Sequence, residues 1–277
     1  MTTVHTLDVP GARLRYEVRG SGPLLLVMGS PMDAAAFAPL ADALADDHTV
    51  VTHDPRGISG STLDDPAQES TPQVRADDVA ALLDALGAPD ADVFGSSGGA
   101  VTGLALAERH PGRVRTLVAH EPPLLELHPE AEAQRAATDD IVATFHEHGV
   151  GAAWTKFMVT AGFDLGGEDD GAQGPQQQPS ERDLANSARF FAHELRHTTR
   201  YLPDVAALRA GGAGVVVGVG AGSRGLSTYP TSLALARLLD TAPVEFPGDH
   251  GGFLARPSEF AETLRKALAG QGRQPGR

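Results

Sequence analysis

Apolar and polar residues alternate along this chain in two distinct patterns. Near the start, the segments VHTLDV and RLRYEV alternate around the turn sequence PGA, which predicts a β-hairpin. Short continuous apolar runs follow at 24–28, 48–54, 92–94 and 114–120, separated by segments of helical spacing at 34–45, 72–86 and 98–110. Continuous apolar strands that alternate with helices predict an α/β fold, with a mostly parallel central sheet covered by helices on both faces.

The alternation stops after His120, and only helical patterns occur before it resumes. A strand pattern at 214–220, a helix at 227–240, a strand at 244–246 and a last helix at 257–268 complete the sheet pattern. A helical insertion between two strands is expected to cap the strand ends, where such sheets bind ligands. We expect the polar segment 166–179 inside it, rich in Gly, Pro and Gln, to be mobile. The predicted organisation is a core in two parts, 1–121 and 203–270, a helical cap at 122–202 and a loose tail at 271–277.

Composition and charge narrow the class of protein. The chain has 277 residues, of which 41% are hydrophobic and 21% charged, as in a globular protein. Its formal net charge of −14 argues against nucleic acid or an anionic membrane as the main partner, and the absence of cysteine excludes disulfides and thiolate chemistry. Without a leader pattern or a run of membrane-spanning length, a soluble cytoplasmic protein is expected. Its expected partner is a small-molecule substrate, and a homodimer is compatible with the sequence.

The stretch DVFGSSGGAV contains two adjacent serines between glycines. Gly95, Ser97 and Gly99 match G-x-S-x-G at a predicted strand-to-helix junction, where a sharp elbow exposes the central side chain and flanking glycines relieve crowding. Centring the motif on Ser96 would require a small residue in place of Phe94. Ser97 is therefore the predicted nucleophile, and Ser96 is predicted to pack or hydrogen-bond beneath it.

Three further segments, in chain order, resemble the α/β-hydrolase fold superfamily, and the resemblance covers nearly the whole chain. VMGSP (27–31) resembles the H-G-x-P segment, with Met28 in place of the usual histidine, and HDPRGISGST (53–62) resembles D-x-R-G-x-G-x-S. FPGDHGGF (246–253) is similar to the loop that delivers the catalytic histidine. The resemblance implies that Ser97 attacks an acyl carbon with His250 as base, and that the backbone amides of Ser30 and Gly98 form an oxyanion hole. No cofactor and no metal are expected.

The third member of the triad departs from the family pattern. In most relatives the acid follows the strand that here reads GVVVGVG, but counting from Gly220 leads to Ser223, and no acidic residue stands there. Glu121 follows the preceding strand at the same edge of the sheet, and some haloalkane dehalogenases of this superfamily take their acid from that place. We predict Glu121 as the acid; a Ser–His dyad is the alternative. Asp249 adjoins His250, but neighbours on a turn rarely face each other.

Haloalkane dehalogenases and epoxide hydrolases of this fold use aspartate at the elbow, whereas this chain has Ser97. A serine nucleophile indicates acyl chemistry, and the predicted function is hydrolysis of an ester or lactone. Alternatives are a non-catalytic ligand-binding protein of the same fold and a cofactorless perhydrolase or C–C hydrolase. The glycines at 220, 222 and 225, followed by Glu245, also match a dinucleotide fingerprint, although they lie near the end of the predicted sheet. Apolar residues of the predicted cap are expected to line a substrate pocket: Trp154, Phe157, Met158, Phe163, Phe190 and Phe191.

Overall fold

The computed structural model of the protein describes residues 1–164 and 179–270. The predictions of a mobile segment up to residue 178 and of a loose tail at 271–277 fall outside these residues. Within them, nine strands form one sheet. The strands are β1 (Thr3–Val9), β2 (Ala12–Gly20), β3 (Leu24–Met28), β4 (Thr49–His53), β5 (Thr62–Leu63), β6 (Ala91–Ser96), β7 (Val114–His120), β8 (Gly214–Gly220) and β9 (Val244–Phe246).

The sheet has the strand order β1-β2-β4-β3-β6-β7-β8-β9, with β5 paired to β2. β1 and β2 form the predicted antiparallel hairpin, and β2 joins the rest of the sheet antiparallel to β4. From β4 to β9 every neighbouring pair is parallel, so the carboxyl ends of these strands share one edge. The predicted α/β fold with a mostly parallel sheet is confirmed.

Helices cover both faces of the sheet, and each face has its own apolar core. The helices are α1 (Ala38–Leu44), α2 (Pro72–Ala85), α3 (Gly98–Arg109), α4 (Ala131–Ala161), α5 (Glu181–His193), α6 (Leu195–Thr199), α7 (Val205–Ala210), α8 (Thr228–Leu238), α9 (Gly252–Ala255) and α10 (Pro257–Ala269). One core joins the sheet to α2, α3, α7 and α8, and the other joins it to α1, α9 and α10. The strands are continuous apolar runs because successive side chains enter opposite cores.

The insertion between β7 and β8 contains α4, α5 and α6 and has an apolar cluster of its own. Its fully buried members are Ile141, Val142, Ala153, Phe190, Phe191 and Leu195. Helix α5 begins with a capping box between Ser180 and Asp183 and rests on the loop after β4, where the amide of Ser59 donates to Asn186 Oδ1 at 2.8 Å. The boundaries 122–202 of a separate cap domain stay a prediction.

The HDPRG segment after β4 ties neighbouring loops to the core. Asp54 accepts hydrogen bonds from the amides of Ala34 and Gly60, both at 2.9 Å. Arg56 is buried, and its Nε donates to Asp78 Oδ2 on α2 at 2.7 Å. These contacts give the HDPRG segment a structural role: it holds the loops at this edge of the sheet. None of the helices in the described residues is long and apolar enough to cross a membrane.

Candidate active site

Ser97 lies in a sharp turn between β6 and α3, as the motif predicts. Its backbone has φ 56° and ψ −123°, a left-handed conformation that is strained for a residue with a Cβ atom. The flanking glycines are required by close backbone approaches. A Cβ atom on Gly95 would lie 2.5 Å from the carbonyl oxygen of Gly99, and one on Gly99 would collide with the carbonyl oxygen of Met28. The G-x-S-x-G pattern is therefore the sequence that this elbow permits.

A cavity of about 240 Å³ opens at the elbow, between the edge of the sheet and the insertion. Ser97 and His250 both line it, and so do Ser30 and Gly98, the residues predicted to supply oxyanion amides. Gly98 is the first residue of α3, and a Cβ atom on it would lie 2.7 Å from the carbonyl oxygen of Ser30. The loop after β3 and the start of α3 therefore meet directly beside Ser97.

Glu121 contacts His250 directly. Its Oε2 atom lies 2.6 Å from His250 Nδ1, and its side chain is fully buried, at 0% exposure, whereas that of His250 is 18% exposed. The remaining lone pairs of the carboxylate are also used: Oε1 accepts from the amide of Gly220 at 2.7 Å, and Oε2 accepts from Thr228 Oγ1 at 3.3 Å. The glutamate is thus held in one orientation by contacts from β8, α8 and the histidine loop.

The backbone at Glu121 explains how a residue just beyond a strand can turn into the sheet edge. Glu121 has φ 48°, and its amide donates to the carbonyl oxygen of Gly218 at 3.0 Å. Positive φ in a residue other than glycine costs of order 1–3 kcal/mol, and such residues cluster at functional sites. Ser97 lines the cavity, and Glu121 contacts His250, which lines the same cavity, so two such residues support a functional site there.

Comparison with known proteins is consistent with this geometry. The family described as alpha/beta hydrolase fold matches residues 22–165. An uncharacterized hydrolase of Bacillus subtilis named YraK is 36% identical over 270 residues, which cover 95% of each chain. The chain belongs to the α/β-hydrolase fold family. A putative carbamate hydrolase of Azorhizobium caulinodans named RutD is 39% identical to this α/β-hydrolase over 107 residues, which cover 38% of this chain and 40% of the relative.

Solved structures agree on the fold. The enol-lactonase of Burkholderia xenovorans superimposes on this α/β-hydrolase with a TM-score of 0.70 at 20% identity, covering 96% of this chain and 100% of that one. A thermophilic esterase from Thermogutta terrifontis gives 0.71 at 18% identity, covering 99% and 100%. At these identities the likeness establishes the fold, while the named relatives support hydrolysis as the coarse function.

The charge state of Glu121 follows from opposing effects. Burial acts to raise the pKa of this carboxyl, but hydrogen bonding to His250 and the nearby imidazoles of His120 and His250 outweigh it and lower the pKa to about 2. At neutral pH the α/β-hydrolase therefore carries a carboxylate at this position. A carboxylate accepts hydrogen bonds only, so Nδ1 of His250 must be the donor in this contact, which leaves Nε2 as the nitrogen available for other partners.

The ionised state of Glu121 makes stability depend on pH in a defined direction. Because the folded pKa of about 2 lies below the ordinary 4.5, the carboxylate stabilises the fold above about pH 5, and this contribution is lost as pH falls towards the folded pKa. We expect the difference in unfolding free energy between wild type and Glu121→Gln to change by about 2 kcal/mol between pH 6 and pH 3. Urea denaturation of both proteins over this range measures it, and a difference independent of pH would contradict the assignment.

His120 was not identified from the sequence, although it contributes to the site. It is fully buried, its Nδ1 lies 3.1 Å from Ser96 Oγ, and its ring stacks on that of His250 at 6.1 Å. Burial lowers the pKa of His120 to about 4, so its imidazole is neutral at neutral pH. Ser96 is thus the hydrogen-bonding neighbour beneath the elbow that the motif predicts. The only available signal for His120 was its position directly before Glu121.

The position after β8, where the family pattern places the acid, is occupied by Ser223. Ser223 is fully buried, and its hydroxyl contributes to lowering the pKa of the nearby Glu121 carboxyl. The glycines that resemble a dinucleotide fingerprint serve the site itself: the amide of Gly220 donates to Glu121, and that of Gly222 donates to the carbonyl oxygen of Gly248 at 2.8 Å. These amides are engaged within the protein, which explains the glycine pattern without a nucleotide. No group of three or more potential metal ligands occurs in the described residues.

The predicted pocket residues lie at the cavity with one exception. Trp154, Phe157, Met158, Phe163 and Phe190 line it, whereas Phe191 does not. Phe191 is 1% exposed and packs inside the insertion against Phe145, with ring centroids 5.8 Å apart. Adjacent residues on a helix point about 100° apart, and on α5 Phe190 turns towards the cavity while Phe191 turns into the aromatic cluster of the insertion.

Proposed function

We propose that this α/β-hydrolase is a serine hydrolase that cleaves the ester or lactone bond of a small, largely apolar molecule through an acyl-enzyme at Ser97. The observation that carries the proposal is the 2.6 Å contact between Glu121 Oε2 and His250 Nδ1, with His250 and Ser97 bordering one cavity. It meets the requirement of a base that a buried acid orients. This contact also weakens the non-catalytic alternative, which rested on the empty acid position at Ser223.

The proposed reaction begins with attack of Ser97 Oγ on the carbonyl carbon, while His250 Nε2 takes the hydroxyl proton. Glu121 keeps the proton of the imidazole on Nδ1 and stabilises the imidazolium that forms. Negative charge develops on the carbonyl oxygen, for which the amides of Ser30 and Gly98 are the proposed donors. His250 then protonates the leaving alcohol oxygen, and a water molecule activated by the same nitrogen hydrolyses the acyl-enzyme.

The character of the cavity supports a small, uncharged substrate. The described residues that line it include no Lys, Arg, Asp or Glu, so an ionic substrate would lose its hydration without gaining a partner. Apolar residues dominate the lining, and its polar members include Thr138, Thr198 and Thr199, whose hydroxyls are engaged in hydrogen bonds within the protein. The enol-lactonase and esterase among the similar structures fit this reaction class as analogies of fold.

The test is a hydrolysis screen of p-nitrophenyl esters of increasing acyl length together with simple lactones, with Ser97→Ala as the blank. We expect turnover of short-chain esters or lactones that is absent in the blank. Lack of turnover of every ester and lactone would contradict the proposal. The perhydrolase, C–C hydrolase and non-catalytic alternatives would then be favoured.

Phe157 offers a test of the cavity as the acyl site. Phe157→Ala removes an aromatic wall and should raise the ratio of kcat/KM for hexanoate over acetate by roughly tenfold, the value expected if about two further methylenes are buried at about 0.8 kcal/mol each. Phe145→Ala is the matched control, because Phe145 packs in the same aromatic cluster of the insertion without lining the cavity. Equal shifts in both variants would mean that the cavity does not select the acyl chain.

A further inference from the structure

A buried ion pair lies directly behind the loop that follows β3. Glu194, between α5 and α6 of the insertion, is 1% exposed, and Arg75, on α2 of the sheet core, is 3% exposed. Arg75 Nη1 lies 3.5 Å from Glu194 Oε1. Neither residue belongs to a sequence motif, and the pair joins the insertion to the core beneath the cavity.

Glu194 reaches the oxyanion loop through Ser30. The Ser30 hydroxyl hydrogen-bonds to Glu194 Oε1, so a residue of the insertion holds the loop whose amide is proposed to face the substrate oxygen. Met28, two residues before Ser30, is buried in the apolar core, and a thioether is at best a weak acceptor. Asp54 holds the far end of the loop through the amide of Ala34, whereas Glu194 supplies the polar contact at Ser30 itself.

Arg75 reaches the other side of the proposed oxyanion hole. Its Nε donates to Thr102 Oγ1 at 3.0 Å, and that hydroxyl in turn donates to the carbonyl oxygen of Gly98 at 3.0 Å. A further nitrogen of Arg75 donates to Thr198 Oγ1 on α6 at 2.9 Å. Ser30 and Gly98 are thus connected to one ion pair by short chains of hydrogen bonds, one through Glu194 and one through Arg75.

The energetic cost of this arrangement argues for a role beyond holding the insertion in place. Buried ion pairs contribute little net stability because desolvation offsets their attraction. Glu194 Oε2 is buried with no hydrogen-bond partner among the described residues, which adds to the cost. Burial also raises the pKa of Glu194, although Arg75 and Arg189 oppose the shift. An apolar contact would hold the insertion at lower cost, whereas an acceptor for Ser30 requires an oxygen.

We propose that Glu194, backed by Arg75, is a positioning residue that fixes the oxyanion loop through the Ser30 hydroxyl, so that the oxyanion hole is complete only when the α5–α6 segment is seated on the core. The inference rests on the proposed acyl chemistry at Ser97. It assigns to the insertion a part in stabilising the transition state, in addition to lining the cavity.

A positioning role and a purely structural role differ in what they change. A misplaced oxyanion amide weakens binding of the tetrahedral state, so kcat falls while KM and the melting temperature change little. A loosened insertion instead lowers the melting temperature and raises KM. Affinity for a trifluoromethyl ketone, which forms a tetrahedral adduct with an active serine, reports the first effect directly.

The experiment compares Ser30→Ala, Glu194→Leu and the double variant, using p-nitrophenyl acetate and a trifluoromethyl ketone. Leucine removes both oxygens at position 194, whereas glutamine would keep an acceptor for the Ser30 hydroxyl. Ser30→Ala keeps the backbone amide and removes only the hydroxyl, so it decides the question even if Glu194→Leu fails to fold.

We expect kcat and ketone affinity to fall together by roughly 10-fold or more in each single variant, while KM stays within about twofold of the wild-type value. The expected loss is smaller than the decrease in kcat of about 100- to 1,000-fold that follows removal of a whole oxyanion donor, because the amide is misplaced and not removed. The kcat of the double variant should be no lower than that of the less active single variant, because both substitutions remove the same hydrogen bond.

Glu69→Leu is the matched control. Glu69 also joins the core to the insertion, through His193 at 3.1 Å and His197 at 2.9 Å, but among the described residues its carboxylate makes no hydrogen bond to Ser30, Gly98 or Arg75. It should leave kcat and ketone affinity near the wild-type values. If wild type is active and Ser30→Ala retains its kcat and ketone affinity, or if KM and melting temperature change instead, the inference is wrong and the proposed function stands. If wild type hydrolyses neither ester nor lactone, the proposed function fails and the inference with it.

Discussion

Ser97→Ala should reduce kcat for ester hydrolysis by roughly 10,000-fold or more, towards the background that binding and an oxyanion hole alone provide. The physical reason is that Ser97 Oγ is the atom proposed to bond to the acyl carbon, and no other hydroxyl occupies the elbow. Alanine keeps the Cβ atom and the same backbone strain, so the melting temperature should change little. Steady-state hydrolysis of the best ester from the screen, together with thermal unfolding, measures both effects.

Ser96→Ala is the control for this variant. Ser96 is the adjacent serine, but it is fully buried, and its hydroxyl contacts His120 beneath the elbow. Loss of that hydrogen bond should cost on the order of 1 kcal/mol in stability and leave most of the activity. Substantial turnover by Ser97→Ala, or a comparable loss in Ser96→Ala, would mean that the nucleophile has been assigned to the wrong serine.

Glu121→Gln should lower kcat by roughly 1,000- to 10,000-fold with little change in KM. An amide nitrogen at this position donates a hydrogen bond to His250 Nδ1, which moves the imidazole proton to Nε2, the nitrogen that must accept the proton of Ser97. The fold should persist, because the amide oxygen can still accept from Gly220 and the side-chain volume is unchanged. The measurement is kcat and KM on the same ester, with circular dichroism to confirm the fold.

Asp249→Asn serves as the comparison for Glu121→Gln. Asp249 is next to His250 in sequence, but its Oδ1 accepts from the amide of Gly251 at 2.9 Å and supports the loop. Its replacement should change kcat by only a few-fold. A Glu121→Gln enzyme that keeps the wild-type kcat would remove Glu121 from the triad and leave the Ser–His dyad as the better description.

The fold was predictable because its strands are buried on both faces. LLLVM in β3 is a continuous apolar run, and β7 has the apolar centre LVA, so helical spacing between such strands leaves few alternatives to a parallel sheet. The elbow was predictable for a related reason: the backbone at Gly95 and Gly99 passes so close to its neighbours that only glycine fits. A close backbone approach of this kind requires glycine, so it is visible in the sequence.

The rest of the site could be predicted only in part. The contact between Glu121 and His250 was predictable, because the strand ends of a parallel sheet are adjacent and a residue after β7 reaches the same edge as one after β8. Glu194 and Arg75 were missed, because no local pattern indicates that a residue between α5 and α6 contacts the loop after β3. Such contacts depend on how the insertion is seated on the core, and that arrangement leaves no periodic signal in the sequence.

Covalent labelling tests most directly whether Ser97 is a nucleophile activated by His250 and Glu121. The wild-type protein is incubated with a fluorophosphonate at neutral pH, and intact-mass measurement is followed by mapping of the modified peptide. The account predicts a single adduct on Ser97, its absence in Ser97→Ala, and much slower labelling in Glu121→Gln. An unlabelled wild-type protein, or an adduct on another residue, would contradict it.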